Sequence, residues 1–371
     1  MNLALASSRV SFLKGKTFLV DAIIKSAVGL GLSVLNATPT GKLVSKGWRH
    51  SSVTNATVCR AFGIKNDTHF EYNDAIGEHS LWVIGEVGML PQRHGDIIYR
   101  HWVRLQKLPV IIFEGDFHQL PPGTGQEADI RQCLFWRDIM TWTLTENFRC
   151  ADENLLSFLR HIRTDVPSEL QIRNFDDLVC GQDVEVATLS AAWEHLPGAT
   201  VLTATRDTCA AVNAIGASLC DGAPLGSIPV WRSSDTAFYV DRIQLKKNMR
   251  LEITYNLDIE RNLYNGASCV LKGRHARGLE VELHTGEHVL IYRRAIWQRN
   301  RERFLASAFD LSLGYATTVH KAEGLTLDSV IIVWENWSPP GWAYTALSRV
   351  KTRSSLRFLG RPTVSHFRPR V

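Results

Sequence analysis

The feature that most limits the fold of this chain lies toward its C-terminal end. Four consecutive apolar residues, Val330–Val333, stand between a polar loop, HKAEGLT (His320–Thr326), and the phrase AYTALSR that closes at Arg349. A short apolar run of this kind reads as a buried strand. Loops at the ends of buried strands are where phosphate sites form, and here one loop carries a lysine and the other an arginine. Earlier stretches repeat the pattern. GKT (Gly15–Thr17) opens TFLVDAIIKSAVGL, whose apolar residues fall at helical spacing up to Leu30, and the apolar LSVLNATPTG then ends in a turn. LWVIGEVGML (Leu81–Leu90) and PVIIFEGDFHQLPP (Pro109–Pro122) are further apolar strands that run into polar turns. A helix after GKT followed by a strand is the start of a parallel α/β sheet.

Taken singly, each motif is ambiguous. GKT serves equally as a surface turn, TPTGK (Thr38–Lys42) as a strand-end turn, and Arg149 in LTENFR as one half of a surface pair with Glu146. Their order is more specific. GKT, TPTGK, GEVGML, GDFHQLPP, LTENFR, TVHKAEGLT and AYTALSR, from about Lys14 to Leu359, resemble the motor of the PIF1-type helicases of superfamily 1. The resemblance implies an α/β fold: two RecA-like parallel-sheet P-loop domains with a small inserted β-barrel-like (SH3-like) domain. The expected division is 1–164 for the first domain, with a small subdomain within about 48–80. Residues 165–243 and 305–360 form the second, 244–304 the insert, and 361–371 a basic tail.

The same resemblance assigns roles. Gly15, Lys16 and Thr17 take the places of a phosphate-binding loop, in which backbone N–H groups surround the phosphates, the lysine reaches the β/γ oxygens and the threonine hydroxyl holds magnesium. Glu86, an acid at the end of a buried strand, is the expected general base and a second magnesium neighbour. Gln119 senses the γ-phosphate, Asp116 sits beside the nucleotide, and Arg149 and Arg349 stabilise transition-state charge. Thr38, Thr40, Lys42, His118, His320, Lys321 and Thr326 are the expected DNA contacts. ATP and Mg2+ are the implied cofactors, and single-stranded DNA and DNA forks the partners. A monomer working 5′ to 3′ in the nucleus or mitochondrion, if the source is eukaryotic, is also implied.

Three departures stand against full activity. Val10 occupies the position of the first glycine of GxxxxGK[ST], where a bulky residue resists a positive φ and crowds the phosphate. Gly85 replaces the magnesium-organising aspartate that relatives carry before Glu86, with Asp116 as the candidate stand-in. Ala322 and Glu323 replace the Ser-Gln of HKSQG, so an anion is expected beside the phosphate path. Weaker magnesium binding and slower turnover follow.

Composition sets outer bounds. At 371 residues, with 45% apolar and 21% charged residues, the chain suits two or more globular domains. A net charge of +5 permits a polyanionic partner without requiring one. Lys351, Arg353, Arg357, Arg361, Arg368 and Arg370 crowd the C-terminal end, as a solvated tail or a phosphate contact. Arg293, Arg294, Arg299, Arg301 and Arg303, with Tyr292 and Trp297 among them, suit single-stranded nucleic acid and a solvated barrel edge equally well. Seven scattered cysteines without a CxxC pair read as a reduced, intracellular protein, and no apolar run approaches the length of a membrane span. The chain begins too close to GKT to hold the adenine-recognition segment such helicases have upstream, and a cleaved leader there would remove the phosphate loop. Three readings remain: an ATP-dependent DNA helicase, a nucleic-acid-binding relative without hydrolysis, or a helicase segment of a larger mobile-element protein.

Overall fold

The computed structural model describes residues 9–11, 16–66, 69–123, 128–144, 150–233, 238–297 and 304–370. The first unit runs β1 (Arg9–Ser11), α1 (Lys16–Gly29), β2 (Val34–Thr38), α2 (Gly41–Val44), β3 (Val53–Thr57), α3 (Val58–Ala61), β4 (Leu81–Ile84), α4 (Gln92–Arg104), β5 (Val110–Gly115) and β6 (Thr141–Thr143). Its strands form one parallel sheet in the order β3-β2-β4-β5-β1-β6. Strands this apolar are buried on both faces, as parallel sheets require. Val34, Leu81 and Val83 meet Ile24 and Ala27 of α1 on one face, while Leu35, Trp82 and Ile84 meet Ile98 and Trp102 of α4 on the other. Every strand therefore ends at the same rim, where the polar turns collect.

After α5 (Glu153–Ile162) and α6 (Glu169–Arg173), the second unit starts with β7 (Val179–Gly181), α7 (Val186–His195), β8 (Thr200–Thr203) and α8 (Arg206–Leu219). An antiparallel region follows: β9 (Pro224–Ser233), β10 (Phe238–Lys246), β11 (Arg250–Ile253), β12 (Ser268–Arg274), β13 (Gly278–Leu283), β14 (His288–Tyr292), β15 (Arg294–Trp297), β16 (Phe304–Ala308) and β17 (Leu311–Leu313). The chain then returns through β18 (Ala316–Thr318), α9 (Val319–Ala322), β19 (Val330–Val333), α10 (Trp342–Leu347) and β20 (Leu356–Leu359). The second parallel sheet has the order β18-β8-β19-β20-β7. Its central strand β19 packs Val330 and Ile332 against α5 and α10, and Ile331 and Val333 against α7 and α8.

Three expectations need correction. The insert is wider than 244–304: β17 pairs with β11, and the β9–β10 hairpin joins the same core through Ile228, Val230 and Ile243. Its antiparallel sheet, β14-β13-β12-β11-β17, takes its last strand from beyond residue 304, and β9 and β10 pair as a separate two-stranded sheet. Within 48–80, Val53–Thr57 is an edge strand of the first sheet rather than part of a separate subdomain. An edge strand with one solvated side tolerates polar residues, and Asn36 Nδ2 donates to Asn55 Oδ1 at 2.8 Å across the pair. Three cations of the basic C-terminal stretch are held in ion pairs rather than left as a free tail. Arg353 pairs with Asp177 and Arg361 with Asp176, while Arg370 Nη2 meets Asp129 Oδ2 at 2.7 Å inside the first unit. Of the expected aromatic and basic patch, Arg294 is bound to Asp310 by two contacts of 2.7 Å and lies over Tyr255. Arg299, Arg301, Arg303 and the side chain of Trp297 lie outside the described residues.

The carboxylate that follows β19 holds the start of α8. Glu335 accepts from the backbone N–H groups of Ala204 and Thr205 and from the hydroxyls of Thr205 and Thr208, the last two at 2.6 Å. Unpaired donors at a helix N-terminus are costly when half-buried, and a carboxylate there also meets the helix dipole. Glu335→Ala should lower stability by about 1–3 kcal/mol; a urea midpoint unchanged from wild type would rule this out.

Candidate functional site

Three elements of the first sheet deliver charge to one point. Lys16, the first residue of α1, is 9% exposed, and its Nζ stands 3.3 Å from Glu86 Oε2 and 3.4 Å from Glu114 Oε2. Glu86 follows β4 in the left-handed region at φ 47°, an unusual backbone for a residue with a side chain. Its N–H donates to Glu114 Oε1 at 3.1 Å, so the two acids are fixed relative to one another. Burial alone would lower the lysine's pKa, but Glu114, Glu86 and Asp116 outweigh it and hold the ammonium above its ordinary range. Glu114 is the residue that sequence reasoning passed over. The available signal was a glutamate at the end of the apolar run PVIIFEG, where the pattern calls for another apolar residue.

Asp116, the expected stand-in for the acid missing at position 85, is engaged elsewhere. Its carboxylate accepts from the Tyr344 hydroxyl at 2.9 Å, from Arg163 Nη2 at 3.2 Å and from the His118 N–H at 3.1 Å. Tyr344 belongs to α10, so this aspartate ties the first sheet to the second. Gln119 does the same: its Oε1 accepts from Arg349 Nη2 at 3.3 Å. Arg349 is 0% exposed, and its remaining donors reach the carbonyls of Thr345, Ala322 and Leu325 and the Ser348 hydroxyl. Burial lowers its pKa, opposed by the charges of Glu323 and Glu86. Glu86 is thus within electrostatic reach of Lys16 from one unit and Arg349 from the other. Gly341, at φ 77°, lets the second unit close on this turn, since a Cβ there would lie 2.6 Å from the Gln119 carbonyl oxygen. Gly15, Arg149 and the side chain of Thr17 lie outside the described residues.

The expected DNA contacts divide. Lys42, on α2, gathers with Lys46, Lys321 and Glu252, and Lys321 Nζ is 3.2 Å from Glu252 Oε1. Burial, followed by the neighbouring lysines, lowers the Lys42 pKa to about 8 against the pull of Glu252. The insert shapes this place: a Cβ on Gly41 would meet Asn256, and one on Gly266 would meet Lys42. Thr38 ends β2, Thr40 immediately precedes α2, and Thr326 is exposed beyond α9. His320 is half-buried, with a pKa lowered by burial and by Arg206. His118 does not join the group, since its Nδ1 lies 3.1 Å from the Arg370 carbonyl oxygen.

No protein-family model matches the chain. Its sequence is 31% identical over 288 residues to the ATP-dependent DNA helicase PIF1 of Rattus norvegicus, covering 72% of this chain and 44% of the relative. Against the Homo sapiens PIF1 the figures are 30% over 283 residues, 69% and 42%. Over 72% of its length the chain is similar to the PIF1 helicases. It spans less than half the length of these curated relatives. The fold agrees with solved structures of Pif1 from Bacteroides bound to ssDNA (TM-score 0.72, 18% identity, 97% of this chain and 90% of that one). It also agrees with Pif1 from Candida albicans (0.73, 18%, 98% and 93%).

One departure from the PIF1 pattern is milder than its sequence implies. Glu323 is 5% exposed, and burial followed by the charge of Glu86 lifts its pKa to about 8, against the pull of Arg349, Arg370 and Lys16. At pH 7 it is mostly protonated, so the expected anion beside the phosphate path is largely absent. A neutral carboxyl carries one donor and an acceptor on a skeleton the size of glutamine, which makes it close to the Gln of HKSQG. The linkage runs in one direction: the folded state keeps a proton that the unfolded state releases above its ordinary 4.5. Stability therefore falls as pH rises from about 4.5 to about 8, by at most about 5 kcal/mol. Glu323→Gln should flatten that slope and leave the variant the more stable form at pH 9. Parallel stability curves for the two proteins from pH 5 to 9 would show the assignment to be wrong.

Proposed function

We propose that this chain is the motor portion of an ATP-dependent DNA helicase that steps 5′ to 3′ along single-stranded DNA. The observation that carries the reading is the junction of the two sheets, where Lys16, Glu86 and Gln119 of one face Arg349 of the other across a single interface. In this reading Lys16 leaves its two carboxylates to hold the β- and γ-phosphates. Glu86, held in place by its own N–H, accepts the proton of the attacking water. Arg349 exchanges Gln119 Oε1 for a phosphate oxygen, which frees Gln119 to face the γ-phosphate, and Arg149 adds a second guanidinium. The donor set fits magnesium: a buried carboxylate oxygen, Glu114 Oε2, accepts no hydrogen bond beside two carboxylates and one lysine. Thr17 and Glu86 would hold the ion, which when bound supplies charge neutralisation at the phosphates. Exchange of the Arg349–Gln119 contact with each turnover moves one sheet against the other.

DNA would cross the mouth formed by α2, α9 and the insert, with Lys42 and Lys321 on its phosphates and Thr38, Thr40 and Thr326 beside them. Two sequence regions far apart in the chain bring cations to this one place, and the insert adds Glu252. DNA forks are the natural extension of that path. The absence of hydrolysis is favoured by one observation, the complete internal bonding of Arg349.

ATP hydrolysis stimulated by single-stranded DNA separates the two. Wild type should hydrolyse ATP, and Lys16→Ala and Arg349→Ala should each reduce the rate by at least about 100-fold, the scale of losing one transition-state contact. A wild-type rate no higher than that of Lys16→Ala would reject the motor. For the DNA path, Lys42→Ala and Lys321→Ala should each reduce the slope of log affinity against log salt by about 0.7. Wild-type affinity should also weaken between pH 7 and 9 as Lys42 loses its proton, a dependence that Lys42→Arg removes. Unchanged salt slopes in both alanine variants would place the DNA elsewhere.

A further inference from the structure

Position 85 is a glycine at the rim of β4, next to Glu86. An ideal Cβ built there lies 3.0 Å from Glu114 Oε1 and 3.1 Å from Thr38 Cγ2. The space a side chain at 85 would enter is therefore already taken by a carboxylate that arrives from the neighbouring strand. β4 and β5 are parallel and adjacent, with Ile84 opposite Phe113, so Glu114 is the residue level with Gly85. Its two oxygens have distinct surroundings. Oε1 accepts the Glu86 N–H, and Oε2 is buried, faces Lys16 Nζ at 3.4 Å and accepts no hydrogen bond.

We propose that Glu114 is the relocated second carboxylate of the nucleotide site, supplied by β5 in place of an acid on β4, and that its Oε2 faces the divalent cation that accompanies the nucleotide. This rests on the reading of Lys16 and Glu86 as a nucleotide site. Two carboxylates face one ammonium in a largely buried recess, and burial raises the Glu114 pKa against the pull of Lys16, so its charged form is held at a cost that a further cation relieves. A divalent ion held on phosphate oxygens, with one or two carboxylates from the protein, is such a cation. The orphaned oxygen is on the side of Lys16, where the phosphates would lie. The geometry also reverses the simple expectation for repairing position 85. Gly85→Asp in the native chain sets a third carboxylate against Glu114 and crowds Thr38, so it should not improve the site. The same change made together with Glu114→Ala should.

The test measures Mn2+ binding to the ADP-saturated chain from the spectrum of free Mn2+, with ADP binding in EDTA measured separately by a fluorescent analogue. Glu114→Gln keeps the size of the side chain and should weaken Mn2+ by about tenfold or more while leaving metal-free ADP binding within about twofold. Glu114→Ala should do the same, Gly85→Asp/Glu114→Ala should recover most of the loss, and Gly85→Asp alone should gain nothing. Circular dichroism and melting curves identify any variant that fails to fold, and the near-isosteric Glu114→Gln decides in that case. Mn2+ affinity unchanged in Glu114→Gln, or a double variant no better than Glu114→Ala, overturns the inference while leaving the nucleotide site intact. ADP binding that is equal in wild type and Lys16→Ala overturns the site itself, and the inference with it.

Discussion

The structure turns on one ammonium between two carboxylates. Lys16 Nζ, Glu86 and Glu114 come from the start of a helix and the ends of two adjacent strands, and they meet only because the first sheet is parallel and places those ends at one rim. Buried like this, the lysine is stabilised in its charged form, while Glu114 is charged only against the burial and the Glu86 charge that raise its pKa. That cost is a standing preference for a ligand that brings positive charge with its phosphates. The second sheet responds to the same site: Arg349 and Glu323 are both inside electrostatic reach of Glu86, and both are buried by the closure of the two units.

Closure is held by a small number of directional contacts. Asp116 joins Tyr344, Gln119 joins Arg349, and Arg370 passes back into the first unit to reach Asp129 and the carbonyls of Gly88, Gln119 and Leu120. The GDFHQLPP turn is therefore the hinge plate of the molecule, held by two elements of the second unit at once. Because Arg349 is saturated with protein acceptors, its availability to a phosphate depends on giving up at least one of them. The Gln119 contact is the one that spans the interface and so the one whose loss is coupled to relative movement.

Much of this was legible in the sequence because it is written in short local signals. Wholly apolar runs such as Val330–Val333 mark strands buried on both faces, and glycine-bearing turns after them mark the rim. The seven ordered motifs gave the resemblance and the residues around Lys16, Glu86, Gln119 and Arg349. What local signals could not carry is pairing between distant residues. Glu114 compensates Gly85 across a strand pair, and nothing in either neighbourhood names the other. Glu323 reads as an anion in the sequence and is mostly neutral in the fold, because charge state depends on burial and on Glu86. The insert is wider than expected because the membership of β9, β10 and β17 is decided by their partners rather than by composition. The C-terminal arginines read as a tail because Asp129, Asp176 and Asp177, which bind three of them, lie 185 or fewer residues away for two pairs and 241 for the third.

The most direct test of the shared site is a structure of the chain with ADP, aluminium fluoride, Mg2+ and a short single-stranded DNA. The account predicts that Lys16 Nζ and the Arg349 guanidinium both lie within hydrogen-bond distance of the fluoride group, with the Arg349–Gln119 contact broken. Nucleotide bound away from Lys16, or Arg349 still on Gln119 with the site filled, would contradict it.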